Sequence, residues 1–78
     1  MDEKVLEEVY QERLEEKIIE FISEKHGIDY RTALDIYYSS KLAGKIHEGR
    51  NGVQYLDYKV LAEILEETER DLFRRKEQ

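Results

Sequence analysis

His26 and His47 are the only histidines in this 78-residue sequence, and histidine is the side chain best suited to acid–base work near neutral pH. His26 falls in the last turn of a predicted helix, where a cation interacts favourably with the helix dipole. His47 stands beside Glu48, but no HxxxH or ExxH spacing accompanies it. Because a stable zinc site needs three or four ligands, the sequence predicts no metal site, and we interpret His26 as a helix-end residue.

Nineteen acidic residues raise the alternative of catalysis by paired carboxylates. Glu7, Glu8, Glu12, Glu15 and Glu16 recur at helical surface spacing, which is typical of a solvated face. A domain of this size also rarely forms the deep pocket that shifts the pKa of a catalytic group. We therefore predict that the protein is not an enzyme, with no catalytic residue, no cofactor and no small-molecule substrate.

The composition indicates which kinds of partner and which cellular location to expect. The net charge is −6, which argues against strong non-specific binding to nucleic acid. There is no cysteine, so neither a disulfide nor a thiolate metal cluster can form. No apolar run approaches the roughly 18 residues of a membrane span, and the opening residues do not resemble a signal peptide. We expect one small helical domain over residues 1–78, soluble and cytoplasmic, with no membrane partner.

Capping signals divide the chain into helices. The first helix is predicted from about Asp2 to His26, and Gly27 suits the left-handed residue that follows a helix. Asp29 is a good N-cap for a second helix, and Ser39-Ser40 predicts a bend or break in it.

A short helix or turn is then expected near residues 41–48. Asn51-Gly52 is typical of a tight turn, and the alternating residues after it allow a minimal two-stranded hairpin near residues 45–56. Asp57 is predicted to cap the last helix. The predicted fold class is all-α, with three main helices. Its expected core consists of Leu14, Ile18, Phe21, Ile22, Leu34, Tyr37, Leu42, Ile46, Leu61, Ile64 and Leu65.

The apolar stripe of the first helix changes direction halfway. At about 100° per residue, one face holds Leu14, Ile18, Ile19, Phe21 and Ile22, and a roughly opposite face holds Val5, Leu6, Val9 and Tyr10. One straight helix cannot point both groups at the same small core. The second group needs either the chain's own tail, if the last helix runs antiparallel to the first, or another copy of the protein.

We therefore predict a protein-interaction module that forms a homodimer. The candidate interface residues are Val5, Leu6, Val9, Tyr10 and Tyr38. Tyr38 is included because Tyr37 and Tyr38 are adjacent and about 100° apart on a helix, so at least one of them should approach the surface, and tyrosine is enriched at interfaces.

A DNA-binding regulator is the alternative hypothesis. The order of helix, tight cap, helix, hairpin and helix is similar to that of a helix-turn-helix or winged-helix unit. The second helix offers few groups for phosphate or base contacts: Arg31, Thr32, Asp35, Ser39 and Lys41. Binding to DNA is therefore the weaker prediction.

The stretch from Gly27 to Leu42, followed by Gly52 to Leu56, resembles small uncharacterised bacterial proteins related to domain-of-unknown-function family 3791. The resemblance covers about residues 17–66. It consists of an opening helix, a second helix in which Ala-Leu is followed by an aromatic residue and then a serine, a glycine-containing turn and a closing helix. Some members are encoded beside toxin-like genes, so the resemblance implies a cytoplasmic, antitoxin-like role with a toxin-like protein partner. It assigns no functional residue.

Overall fold

The computed structural model describes residues 3–76, and every regular element in that range is helical. The elements are α1 (Glu3–His26), α2 (Tyr30–Ser39), α3 (Lys41–Glu48), a 3₁₀ helix (Arg50–Tyr55), α4 (Tyr58–Thr68) and α5 (Arg70–Lys76). The predicted all-α class is confirmed, with α3 as the expected short extra helix. Within the described range, no helix is long and apolar enough to cross a membrane.

The end of α1 is a left-handed glycine cap, as the sequence predicts. Gly27 has φ +64°, and the N–H of Ile28 donates to the carbonyl of Ser23 at 3.1 Å. That bond is the six-residue closure of a Schellman motif. The Ser23 hydroxyl also donates to the carbonyl of Ile28 at 2.6 Å. The chain therefore leaves α1 in a fixed direction and enters α2 after a short connection.

Side-chain caps begin the next helices. Asp29 accepts a hydrogen bond from the N–H of Thr32 at 2.9 Å, and hydrogen bonding to Thr32 lowers the pKa of that carboxyl. Ser40 lies in extended backbone between α2 and α3, and its hydroxyl accepts from the N–H of Ala43 at 3.2 Å. Asp57 caps α4 through the N–H of Lys59. The predicted break at the serine pair is confirmed as a full helix boundary.

The predicted hairpin near residues 45–56 is wrong. Residues Arg50–Tyr55 form a 3₁₀ helix, and Gly49 and Gly52 supply positive φ angles of 67° and 68° at its start and within it. The first strand of that hairpin would have needed extended backbone from about residue 45, but residues 45–48 belong to α3, and their backbone groups are used within the helix.

The last helical stretch is interrupted at Glu69. The backbone of Glu69 leaves helical geometry, and its carboxylate accepts a hydrogen bond from the N–H of Lys41 at 3.1 Å. After this interruption α5 begins at Arg70, and its Phe73 lies in the core with 5% of its surface exposed. Phe73 is absent from the core expected from the sequence, which ends at Leu65.

The core draws on every α-helix. Most of the predicted core residues are buried, and Phe21, Leu34 and Ile64 pack against the core while partly exposed. The buried hydrophobic residues are Leu14, Ile18, Ile19, Ile22, Ala33, Ile36, Tyr37, Leu42, Ala43, Ile46, Leu61, Ala62, Leu65 and Phe73.

Helix α4 runs parallel to the second half of α1. At its start, the ring of Tyr58 meets the ring of Phe21 edge to face, with centroids 5.9 Å apart. Near its end, both carboxylate oxygens of Glu66 lie 3.0 Å from the ammonium of Lys25. The two helices therefore advance together, and the tail is carried to the C-terminal end of α1.

Candidate functional site

The front segment of α1, defined as residues 3–12, carries apolar side chains that the core does not cover. Leu6 is 53% exposed, Val9 42% and Tyr10 43%. The side chain of Val5, which the sequence placed in the same group, lies outside the described residues. The exposure of the other three follows from the change of stripe direction, because they point away from the face that Leu14 begins.

One polar contact ties the front segment to the rest of the molecule. The side-chain amide of Gln11 donates to the carbonyl of Ile46 at 3.1 Å. Gln11 lies one turn before Leu14 and Glu15, which are the first buried side chains among those that the structure describes in α1. The contact places the apolar side of the front segment outward, because Gln11 occupies the inward side.

The 3₁₀ helix brings two further apolar residues to the front segment. The ring of Tyr55 lies 5.8 Å from the ring of Tyr10, tilted by 40°, and Tyr55 is 63% exposed. Leu56 follows it and is 43% exposed. We call Leu6, Val9, Tyr10, Tyr55 and Leu56 the front patch. The sequence did not predict the last two members, because a hairpin was expected there.

A cleft of about 570 Å³ opens beside the front patch, between α1 and the start of α4. Its apolar wall includes Tyr10, Leu56 and Tyr58, and its polar groups include the side chains of Arg13 and Lys17. The Lys17 ammonium lies 5.9 Å from the centroid of the Tyr58 ring. The front patch is thus bordered on one side by a cleft that carries two cations, Arg13 and Lys17, and one acid, Asp57.

Tyr38 lies on another side of the molecule from the front patch. It is 54% exposed, and its ring packs edge to face on the ring of Tyr37 at 5.2 Å. Partial burial raises the pKa of Tyr38, and the negative charges of Glu15 and Glu12 raise it further. Because Glu12 is about 160° around α1 from Tyr10, the structure does not bring Tyr38 together with the other candidate interface residues.

Glu15 is not on a solvated face, which corrects the sequence prediction. It is 4% exposed, and its Oε2 lies 3.1 Å from the Nε2 of His47 on α3. At about 100° per residue it falls between Ile18 and Ile19, within the buried face of α1. Burial raises the pKa of the neighbouring Tyr37, and the Glu15 carboxylate adds to that rise.

The opposite end of α1 has charges of both signs. His26 lies in the last turn of the helix, and its Nε2 is 3.7 Å from the Glu66 carboxylate that binds Lys25. A cleft of about 480 Å³ at this end is lined by Arg70 and Arg74 and also by three glutamates. Within residues 3–76, no group of three or more histidine, aspartate or glutamate side chains is placed to hold a metal ion.

Comparison with known proteins adds no relative. No protein-family model, no curated protein and no solved structure matches the chain. The resemblance to family 3791 therefore stays a prediction. The case for a function rests on the front patch and on the packing that leaves it exposed.

Proposed function

We propose that this protein is a non-enzymatic association module that forms a homodimer through the front patch. The observation that supports the proposal is the parallel packing of α4 on α1. It carries the tail to the C-terminal end of α1 and leaves Leu6, Val9 and Tyr10 exposed. An antiparallel last helix would have given these side chains a cover within the same chain.

The area of the front patch is adequate for a weak dimer. Its five side chains present on the order of 400 Å² of surface per chain, which at about 25 cal/mol per Å² over two chains is roughly 20 kcal/mol before costs. Association costs about 4–15 kcal/mol. A micromolar dissociation constant needs about 8 kcal/mol, so the balance is compatible with a homodimer at micromolar concentration.

The composition of the front patch supports the same proposal. Two of its five members are tyrosines in ring contact, and tyrosine is enriched among the residues that dominate binding energy. Their rings are large and lose little rotamer freedom when covered. Tyr10 and Tyr55 are therefore the proposed anchors, and Leu6, Val9 and Leu56 supply the surrounding apolar area.

Light scattering on the intact protein and on Val9→Glu/Tyr10→Glu tests the proposal. We expect a dimer at micromolar concentration for the intact protein and a folded monomer for the double variant, because a carboxylate inside the contact loses its water without a partner. Tyr30→Glu is the control for Tyr10→Glu, since Tyr30 is similarly exposed at 45% but lies at the start of α2. A monomeric intact protein, or a double variant that stays fully dimeric, refutes the proposal.

Tyr55 and Tyr38 provide a second matched pair. Tyr55→Ser removes an anchor of the front patch, so we expect the dissociation constant to rise about tenfold, in the range for a central aromatic contact. Tyr38→Ser removes a tyrosine of similar exposure on the other side of α1 and should leave the constant unchanged. Sedimentation equilibrium measures both.

The cytoplasmic location and the antitoxin-like role rest on composition and on the family resemblance, and they remain proposals. The gene adjacent to this protein's own provides the first test. A toxin-like neighbour whose product co-purifies with this protein supports that role. A neighbouring gene that is unrelated to toxins removes the support for the antitoxin-like role and does not affect the proposed homodimer.

A further inference from the structure

We infer that a second surface of the molecule, on the flank of α2 beside α1, binds a cationic amphipathic helix of another protein. The surface is built on an apolar stripe of α2 that consists of Tyr30, Leu34 and Tyr38, which we call the α2 stripe. The inference is independent of the proposed homodimer, because the front patch contributes no residue to this surface.

The α2 stripe is continuous along the helix. Its members are four residues apart, so each is rotated by only about 40° from the one before. Tyr30 is 45% exposed and Tyr38 54%, while Leu34 between them packs against the core and is partly buried. From Tyr30 to Tyr38 the stripe is about 12 Å long, which is about two turns. The apolar face of a partner helix can match such a stripe.

Acidic groups of α1 lie close to the hydroxyl of Tyr38. Partial burial raises the pKa of Tyr38, and Glu15, Tyr30 and Glu12 raise it further, so these three groups are its neighbours. Glu15 is buried, and its carboxylate already contacts the imidazole of His47 at 3.1 Å. Glu12 is exposed. A partner that covers Tyr38 therefore meets the carboxylate of Glu12.

The charge of Glu12 is not offset by its neighbours on α1. The side chains three and four residues from it are Glu8, Val9, Glu15 and Glu16. Arg13 and Lys17 lie about 100° and 140° around the helix from Glu12, in the cleft beside the front patch. On the outer side of α2, the charges of Arg31 and Asp35 offset each other. The charge beside the α2 stripe is therefore negative.

This combination of apolar stripe and negative charge favours one kind of occupant. A cationic amphipathic helix can place apolar side chains on the α2 stripe and a lysine or arginine against Glu12. A second copy of this chain has a net charge of −6, and nucleic acids and anionic membranes carry phosphates, so each of these would meet like charge here. The front patch differs, because its cleft carries two cations. The two surfaces thus suit different partners.

Titration calorimetry with two synthetic helices tests the inference. One is an amphipathic helix of leucine and lysine, and the other is a matched helix of leucine and glutamate. We expect the lysine helix to bind the intact protein and the glutamate helix not to bind. Binding should weaken several-fold between about 0.1 M and about 1 M salt, because the screening length falls from about 10 Å to about 3 Å.

Two pairs of variants locate the site. Glu12→Lys and Glu24→Lys both replace an exposed glutamate of α1 and change the net charge equally, but Glu24 is about 18 Å farther along the helix. We expect Glu12→Lys to weaken binding of the lysine helix about tenfold and Glu24→Lys by about twofold or less. Tyr38→Ser should also weaken it about tenfold. Val60→Ser, at an exposed apolar position of α4, should leave it unchanged.

The controls separate the site from general attraction. Equal losses for Glu12→Lys and Glu24→Lys would show that the lysine helix responds only to net charge, and equal results for Tyr38→Ser and Val60→Ser would show that the α2 stripe makes no contact. Either result overturns the inference, as does binding of the glutamate helix or no binding at all. Urea midpoints show that each variant is folded, and Glu12→Lys still tests the site if Tyr38→Ser unfolds. Losses confined to Glu12→Lys and Tyr38→Ser support the inference.

Discussion

The imidazole of His26 lies 4.5 Å, centroid to centroid, from the ring of Phe73. This contact places α5 at the C-terminal end of α1, because His26 is the last residue of that helix. The sequence left two directions open for the last helix, and only the antiparallel one would have placed Phe73 near Val9. The tail therefore covers the end of α1 that is distant from the front patch.

Replacing Phe73 should measure how much this contact stabilises the fold. Phe73→Ala leaves a cavity beside His26, so we expect the free energy of unfolding to fall by about 3 kcal/mol, as for other buried phenylalanines. Leu72→Ala is the control, because Leu72 is only partly buried on the same helix and should cost less. Urea unfolding at a fixed protein concentration measures both. Equal losses would show that α5 has no preferred face on the core.

Replacement by alanine should change the free energy of unfolding in opposite directions at Gly27 and at Gly44. Gly27→Ala should lower the free energy of unfolding by about 1–2 kcal/mol, because an alanine is strained at φ +64°. An added Cβ meets no atom within 4 Å at Gly27 or at Gly44. Gly44 lies inside α3, so Gly44→Ala should raise stability by about 0.5–1 kcal/mol. A Gly27→Ala midpoint that stays unchanged or rises would contradict the left-handed cap, and a Gly44→Ala midpoint that falls would contradict the expectation for α3.

The caps show which features of the fold were predictable from the sequence. Gly27, Asp29, Ser40 and Asp57 act through hydrogen bonds or backbone angles within a few residues of their own positions. Such local chemistry does not depend on the rest of the chain, so the sequence predicts the boundaries they set. The front patch was predictable in part for the same reason, since the stripe reversal is a property of one helix.

The remaining features depend on tertiary packing. Helical periodicity places Glu15 on the buried face of α1, but its partners there, His47 on α3 and Tyr37 on α2, are set by tertiary packing. Phe73 is buried beyond the break at Glu69, where its ring meets the imidazole of His26 on α1. Tyr55 joins the front patch because a 3₁₀ helix replaces the expected hairpin. These partners and contacts join elements that are distant in the sequence, so no local pattern shows them.

The buried phenol of Tyr37 predicts a loss of stability in alkali. Burial, aided by the Glu15 carboxylate, raises its pKa above the ordinary value of 10.0. The folded protein therefore holds the phenol neutral where the unfolded chain ionises. This contribution is fully present below pH 10 and is lost as the pH rises above it. Between pH 9 and pH 11, we expect the free energy of unfolding of the intact protein to fall by about 1 kcal/mol more than that of Tyr37→Phe. Urea unfolding of both proteins at each pH measures the difference.

Tyr37→Phe also tests the environment of the hydroxyl at neutral pH. Within the described part of the chain, the hydroxyl is buried and makes no hydrogen bond of good geometry, although the Glu15 carboxylate lies close enough to raise its pKa. Removing it should therefore leave the urea midpoint at pH 7 unchanged or slightly raised, because a buried polar group that is unsatisfied costs free energy. A clear loss of stability at pH 7 would mean that the hydroxyl is bonded in solution.

Binding to duplex DNA should be weak or absent. The net charge is −6, and a binding protein needs cations to replace the counterions of the phosphates. On α2, the exposed Arg31 lies four residues before the exposed Asp35, which offsets its charge on the same face. A winged-helix protein contacts the DNA backbone with a hairpin, and in this chain the 3₁₀ helix at Arg50–Tyr55 stands where that hairpin would be. In a gel-shift titration against the upstream region of its own gene, we expect no complex near physiological salt. Sub-micromolar binding that persists there would restore the DNA-binding hypothesis.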